Sequence, residues 1–117
     1  MSTQPDYATQ YIGKVIQIKI DRKLGSTHPK YNFTYEVNYG FVPNTQAPDD
    51  EEIDVYLLAV NEPVNNYSGK CIAVIHRLND DDDKLIVVPT DVSNLTDDEI
   101  KKSTFFQEQF FSSIILR

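Results

Sequence analysis

Residues 15–20, Val-Ile-Gln-Ile-Lys-Ile, come close to alternating apolar with polar positions, which is the period of a half-buried strand. Residues 31–39 are strand-like through their aromatics, Tyr31, Phe33, Tyr35 and Tyr39. Two longer apolar runs, 53–60 and 71–78, and a shorter one, 85–88, have strand length without alternation, so they read as buried strands. Turn residues separate these runs. Gly25, Ser26 and Pro29 mark 21–30 as loop, Pro43 and Pro48 bound the next, and Pro63, Asn65, Asn66 and Gly69 mark 61–70. Asn79 followed by four aspartates reads as a hairpin-like turn. Gly40 sits where the backbone needs a close approach that a side chain would block. The polar stretch 1–10, with Pro5, is expected to be weakly ordered.

One helix is predicted, late in the chain. Thr96, Asp97, Asp98 and Glu99 form a capping box, with acids at the positive end of the helix dipole. Ile100, Phe106, Phe110 and Phe111 then fall near helical spacing and face the strands. Residues 114–116 suit either a continued helix or a short edge strand. Five short strands and one helix predict a mainly β fold: a small closed barrel with a C-terminal helix packed on it. The chain reads as a single domain over 1–117, without internal repeats.

The net charge of −7 argues against nucleic acid as a partner, because phosphate backbones require a surplus of Lys and Arg. Bound divalent ions would reverse that field locally and draw in an anion such as a polyphosphate. Cys71, the single cysteine, lies in an apolar run; it reads as a small core residue and suits a reducing, cytoplasmic setting. No run is long enough to span a membrane as a helix. His28 and His76 are too few and too far apart for a zinc site.

Charge is concentrated at two strand starts. Asp49, Asp50, Glu51, Glu52 and Asp54 put five acids within six positions at the mouth of the 53–60 run. Asp80 to Asp83 stand before residues 85–88. Carboxylates this close repel one another, and hard oxygen donors suit Mg²⁺, Mn²⁺ or Ca²⁺. Two acidic lips at two strand ends suggest one shared metal site.

The run Asp49, Asp50, Glu51, Glu52, Ile53, Asp54, Val55 resembles the signature of the soluble inorganic pyrophosphatases of the single-domain barrel type, with Glu51 replacing an aspartate. Tyr35, Asn38, Tyr39 and Gly40 match the Tyr-x-x-Asn-Tyr-Gly motif before it. Asp21, Arg22 and Leu24 match an upstream Asp-Arg-x-Leu, and Asp82, Lys84 and the following apolar run match a downstream Asp-x-Lys. The resemblance implies a five-stranded, OB-like barrel and Mg²⁺-dependent hydrolysis of pyrophosphate, Mn²⁺ being a possible substitute, by a cytoplasmic homo-oligomer. It implies Asp49, Asp54, Asp82 and, at the nearest match, Asp80 as metal ligands. Glu51 takes the place of the group that orients or deprotonates water, with Tyr39 beside the nucleophile. Arg22 and Lys84 would bind phosphate.

The chain departs from that pattern in three places. The added methylene of Glu51 moves its carboxylate, and a misplacement of about an ångström can cost about 10²-fold in rate. Gln17 and Lys19 do not securely match the family's early glutamate and lysine. Nothing after Pro89 matches the Tyr-Lys pair that holds the second phosphate. Hydrolysis is therefore expected if Arg22, Lys84 and a third cation converge on the carboxylates. If they do not, the alternative is a catalytically altered barrel that binds metal and a phosphate compound, or a partner protein.

Overall fold

The computed structural model describes residues 6–78, 82–92 and 95–117. Six strands form one sheet: β1 (Val15–Arg22), β2 (Asn38–Phe41), β3 (Asp54–Leu57), β4 (Asn66–Arg77), β5 (Lys84–Val88) and β6 (Ser113–Leu116). Their order is β1-β2-β3-β5-β4, and β1 also pairs with β4, which closes a five-stranded barrel; β6 adds to the free side of β4. The fold is mainly β, as the pattern predicts. No helix among the described residues is long and apolar enough to cross a membrane.

Closure depends on the length of β4. Its start pairs with β1 (Lys70 opposite Val15), its middle with β5 (Cys71 opposite Val87) and its end with β6 (Arg77 opposite Ser113). Asn66–Lys70, expected to be loop, therefore belongs to the strand. Polar residues there are tolerated because Asn66, Ser68 and Lys70 alternate with better-buried neighbours.

Two apolar clusters explain the unalternating runs. Ile18, Val55, Leu57, Val74, Leu85 and Val87 fill one side of the sheet. Tyr56, Leu58, Ala73, Ile75, Ile86 and Val88 fill the other, beneath Ile100 and Phe106 of the helix. Strands β3 and β5 are thus buried on both faces. The apolar run at 53–60 yields a strand only at Asp54–Leu57, ending before Ala59, whose φ of 64° leaves the β region.

Helix α2 (Asp97–Glu108) begins at the expected capping box, with Thr96 and Glu99 bonded reciprocally. Ile100, Thr104 and Glu108 form its buried stripe at i, i+4, i+8. The helix ends at Glu108, so Phe110 and Phe111 do not continue that face; Phe110 is 65% exposed. Residues 113–116 resolve the open choice as an edge strand. Two further expectations are corrected. The stretch read as weakly ordered up to residue 10 contains a short helix, α1 (Asp6–Thr9), anchored by fully buried Ala8. Of the strand expected at 31–39, only Asn38 and Tyr39 are in β2. The aromatics before them form a loop instead, held by a Thr27–Thr34 bridge and by the His28 Nδ1, which accepts N–H bonds from Lys30 and Tyr31.

Candidate active site

One pairing builds the site. β3 and β5 run parallel, with Asp54 in register with Lys84. Parallel strands start at the same end, so the two acidic lips meet there. The Lys84 Nζ donates to the Asp54 Oδ2 (2.5 Å), the Asp82 Oδ2 (2.6 Å) and the Tyr39 hydroxyl (2.8 Å). Tyr39 arrives through β2, which pairs with β3 and opposes Arg22 of β1. A bulge between Ile20 and Arg22 displaces the β1 register at that point, which re-aims the arginine. Three residues, Tyr39, Asp54 and Asp82, thus surround one ammonium.

The electrostatics follow from burial. Lys84 is 2% exposed; burial opposes its charge, but Tyr39, Asp54 and Asp82 outweigh that, and its pKa lies above the ordinary lysine range. Burial, reinforced by Asp82, pushes the Asp54 carboxyl up to about 6 in spite of the ammonium. Two carboxylates share one ammonium here, which leaves negative charge in excess. Burial also raises the Tyr39 phenol, against the pull of Lys84.

A cleft of about 710 Å³ opens over this cluster. Arg22 lines it beside Tyr35, whose phenol is raised by burial and eased back by Arg22. Arg77 lines it as well, and residue-type reasoning did not single it out. Its Nη2 donates to the Glu108 Oε2 (2.6 Å) and its Nε to the Glu108 Oε1 (3.1 Å), a fork-to-fork pair. The Tyr56 hydroxyl donates to the same Glu108 Oε2 at 2.6 Å. The Phe111 ring covers the guanidinium at 3.6 Å, and Nη1 lies 3.6 Å from the Asp82 Oδ2. A local signal for this pair does exist: Glu108 falls on the apolar stripe of Ile100 and Thr104, where a carboxylate needs a cationic partner.

The remaining expected site residues lie elsewhere. Asp49 and Glu51 are exposed on the loop before β3, where the Asp49 Oδ1 accepts the Glu51 N–H at 3.1 Å; neither lines the cleft. Burial pushes the Tyr7 phenol upward, against the Asp83 N–H that donates to its oxygen at 3.0 Å, and the charges of Asp83, Asp82 and, least, Asp49 add to the rise. Asp83 is also bonded to the His76 Nδ1 at 2.9 Å. Asp80 lies outside the described residues. Among the described residues no group of three His, Cys, Asp or Glu side chains is arranged to hold a metal ion. The chemistry of the donors still suits one: hard oxygens of Asp54 and Asp82 converge with uncompensated negative charge.

Comparison with known proteins gives this geometry a context. A sequence model described as inorganic pyrophosphatase matches residues 11–115. The inorganic pyrophosphatase of Rickettsia conorii is 35% identical over 89 residues, 73% of this chain and 49% of the relative. That of Rickettsia felis is 34% identical, over 71% of this chain and 47% of the relative. The chain spans about half the length of the curated relatives it matches. Among solved structures, the inorganic pyrophosphatase from Ehrlichia chaffeensis superposes with a TM-score of 0.68 at 22% identity, covering 87% of this chain and 84% of that one. The Neisseria gonorrhoeae enzyme gives 0.62 at 24%, covering 80% and 72%. These likenesses share the barrel. With the family match and the Rickettsia identities, they show that the chain belongs to the inorganic pyrophosphatase family.

Proposed function

We propose that this chain hydrolyses inorganic pyrophosphate to two phosphates, with Mg²⁺ as the natural cofactor and Mn²⁺ able to substitute. The observation that carries the reading is the convergence of Arg22, Lys84 and a third cation, Arg77, on one cleft that also holds Asp54 and Asp82. Pyrophosphate hydrolysis requires cations around the phosphate oxygens and carboxylates to retain divalent metal. Asp54 and Asp82, with Asp49 on the adjoining loop and Asp80, would hold the ions. Bound, a divalent ion neutralises phosphate oxygens and lowers the pKa of a coordinated water.

The chain's own groups supply the rest. Arg22 binds a phosphate oxygen at the cleft wall, and Arg77, oriented by Glu108, binds another. Lys84 fixes the Tyr39 hydroxyl as an acceptor, which leaves the phenolic hydrogen to donate into the cleft. Glu51 is exposed on the loop leading into β3 and outside the cleft lining, so its part as acceptor of the attacking water's proton requires that loop to bring its carboxylate to the Asp54 end of the cleft. The net negative charge and buried Cys71 support a cytoplasmic, non-nucleic-acid-binding protein. Exposed Leu78 and Phe105 support a homo-oligomer.

One observation favours the alternative of an altered, non-hydrolytic binder. The three protons of Lys84 already meet three acceptors, Tyr39, Asp54 and Asp82, so none is left for phosphate while both carboxylates stay on the ammonium. The deciding experiment is phosphate release from pyrophosphate with Mg²⁺ and with Mn²⁺, for the natural chain and Asp54→Asn. Metal-dependent release that falls at least about 100-fold in the variant supports hydrolysis. Metal binding without release, lost in the variant, supports the binder.

A further inference from the structure

Two neighbouring carboxylates just before β5 have different surroundings. Asp82 lines the cleft, bonded to Lys84, and its side chain stays 21% exposed. Asp83, between the two in sequence, lies outside the cleft lining and is 3% exposed, as alternation along an extended chain requires. A carboxylate that buried needs a donor, and β4 supplies it. The register that sets Ile75 opposite Lys84 brings His76 beside Asp83, with Nδ1 2.9 Å from the Asp83 Oδ1. An acceptor at that distance keeps a hydrogen on Nδ1, so the ring donates.

A second hold comes from the other end of the sequence. The Tyr7 hydroxyl oxygen, carried by α1, accepts the Asp83 N–H at 3.0 Å. That N–H belongs to the peptide joining Asp82 to Asp83, so the bond orients the backbone that carries Asp82. Tyr7 is itself seated by fully buried Ala8 and by packing on the cluster of Val55, Leu85 and Val87. Two elements distant in sequence thus converge on a residue that does not line the cleft. The middle position of the Asp-x-Lys motif is open to any residue type, so this buried acid is a feature of this chain. Repulsion from Asp54 works against keeping Asp82 in place, and ligands ordered beforehand bind a metal more tightly than ligands ordered on binding.

We propose that His76 and Tyr7 clamp Asp83 so as to position Asp82 as a metal ligand, which makes all three positioning residues for the divalent ion. The inference rests on the metal-binding reading of Asp54 and Asp82 above, and no step of hydrolysis passes through the clamp.

The test compares the natural chain with Tyr7→Phe, His76→Ala and His76→Asn. Tyr7→Phe removes one oxygen and keeps the ring, whereas His76→Asn keeps an N–H near the place of Nδ1. Two quantities are measured: the Mg²⁺ concentration for half-maximal phosphate release from pyrophosphate, and the Kd for Mg²⁺ by calorimetry without substrate. Tyr7→Phe and His76→Ala should each weaken Mg²⁺ about tenfold or more in both, with kcat at saturating Mg²⁺ changed less than about twofold. His76→Asn should recover most of the loss. Should His76→Ala fail to fold, Tyr7→Phe alone decides. Thr96→Ala, which removes a helix cap outside the cleft, should leave both quantities unchanged; a shift equal to that of Tyr7→Phe would mean general destabilisation and overturn the clamp. Hydrolysis with unchanged Mg²⁺ dependence in Tyr7→Phe overturns the inference and preserves the reading above. Mg²⁺ binding without release, weakened in the variants, supports the clamp and overturns hydrolysis. A natural chain that binds no Mg²⁺ overturns both.

Discussion

Lys84 shows why a residue's role depends on where its strand begins. A lysine opening an apolar run suggests a charge snorkelling to the surface. The parallel register with Asp54 instead buries it among acceptors. Removing it leaves Asp54 and Asp82 facing each other in a part-buried place with no cation between them. Lys84→Met should therefore cost about 3 kcal/mol or more in a urea melt without metal, within the range for breaking a buried ion pair. Added Mg²⁺ should recover more stability in the variant than in the natural chain, and equal recovery would argue that the two carboxylates bind no metal. Cys71 gives a second residue-level test. Burial raises its thiol from 9.0 to about 11. The folded chain thus keeps a proton that the unfolded chain releases between those values. Its contribution to stability is whole below pH 9 and is lost as pH rises through 11. Melts of the natural chain and Cys71→Ala at pH 8 and pH 10.5 should show the larger pH-dependent loss in the natural chain. At this scale the sequence was partly legible. The carboxylates and Lys84 could be picked out by type and position, but Arg77 could not be paired with Glu108, because 31 residues separate them and only the barrel joins them.

The elements divide by how local their causes are. The start of α2 was readable because a capping box is complete within four residues. Thr96→Ala should cost about 1 kcal/mol, seen as a lower melting temperature with little change at the cleft. Glu108 lies at the other end of the same helix and ties it to the barrel through Arg77 and Tyr56. Glu108→Ala leaves a buried guanidinium without its main counter-charge, so a loss of about 3–5 kcal/mol is expected, together with weaker phosphate binding as Arg77 loses its orientation. A melt within 1 kcal/mol of the natural chain would show that Asp82 and Phe111 hold Arg77 without Glu108. The elements that were misjudged have long-range causes. Residues 31–37 carry strand-forming aromatics, yet those rings pack on Tyr39 and Phe106 rather than on a neighbouring strand, so the segment remains loop. Lys70 and Asn66 look like turn material until β1 supplies their ladder. The 114–116 segment had too few residues to show a period, and only the free edge of β4 decides it.

For the whole molecule, pairing of β1, β2 and β3 is what turns separated motifs into a site, since Arg22, Tyr39 and Asp54 meet only while these strands stay together. The tightest point on that seam is Gly40. A Cβ built there would lie 1.8 Å from the carbonyl oxygen of Lys19 and 2.8 Å from the Ile20 Cα, both backbone atoms. No rotamer change can relieve such a contact; the strands must separate. The expectation from sequence that a side chain would block this position thus has a definite obstacle. Gly25 is a useful comparison: its φ of +89° disfavours a side chain, but nothing lies within 4 Å of its Cβ position. Gly25→Ala should cost about 1 kcal/mol through backbone strain alone. Gly40→Ala should cost about 3 kcal/mol, because overpacking against backbone forces β1 from β2. It should also weaken phosphate binding, since Arg22 and Tyr39 face each other across the widened seam. Urea midpoints for the two variants, with amide exchange of Lys19 and Phe41, which pair across the seam, measure both effects. Equal midpoints, or unchanged exchange at the seam in Gly40→Ala, would mean that the barrel absorbs the extra carbon by shifting as a unit, and that the position of Arg22 does not depend on this strand pair.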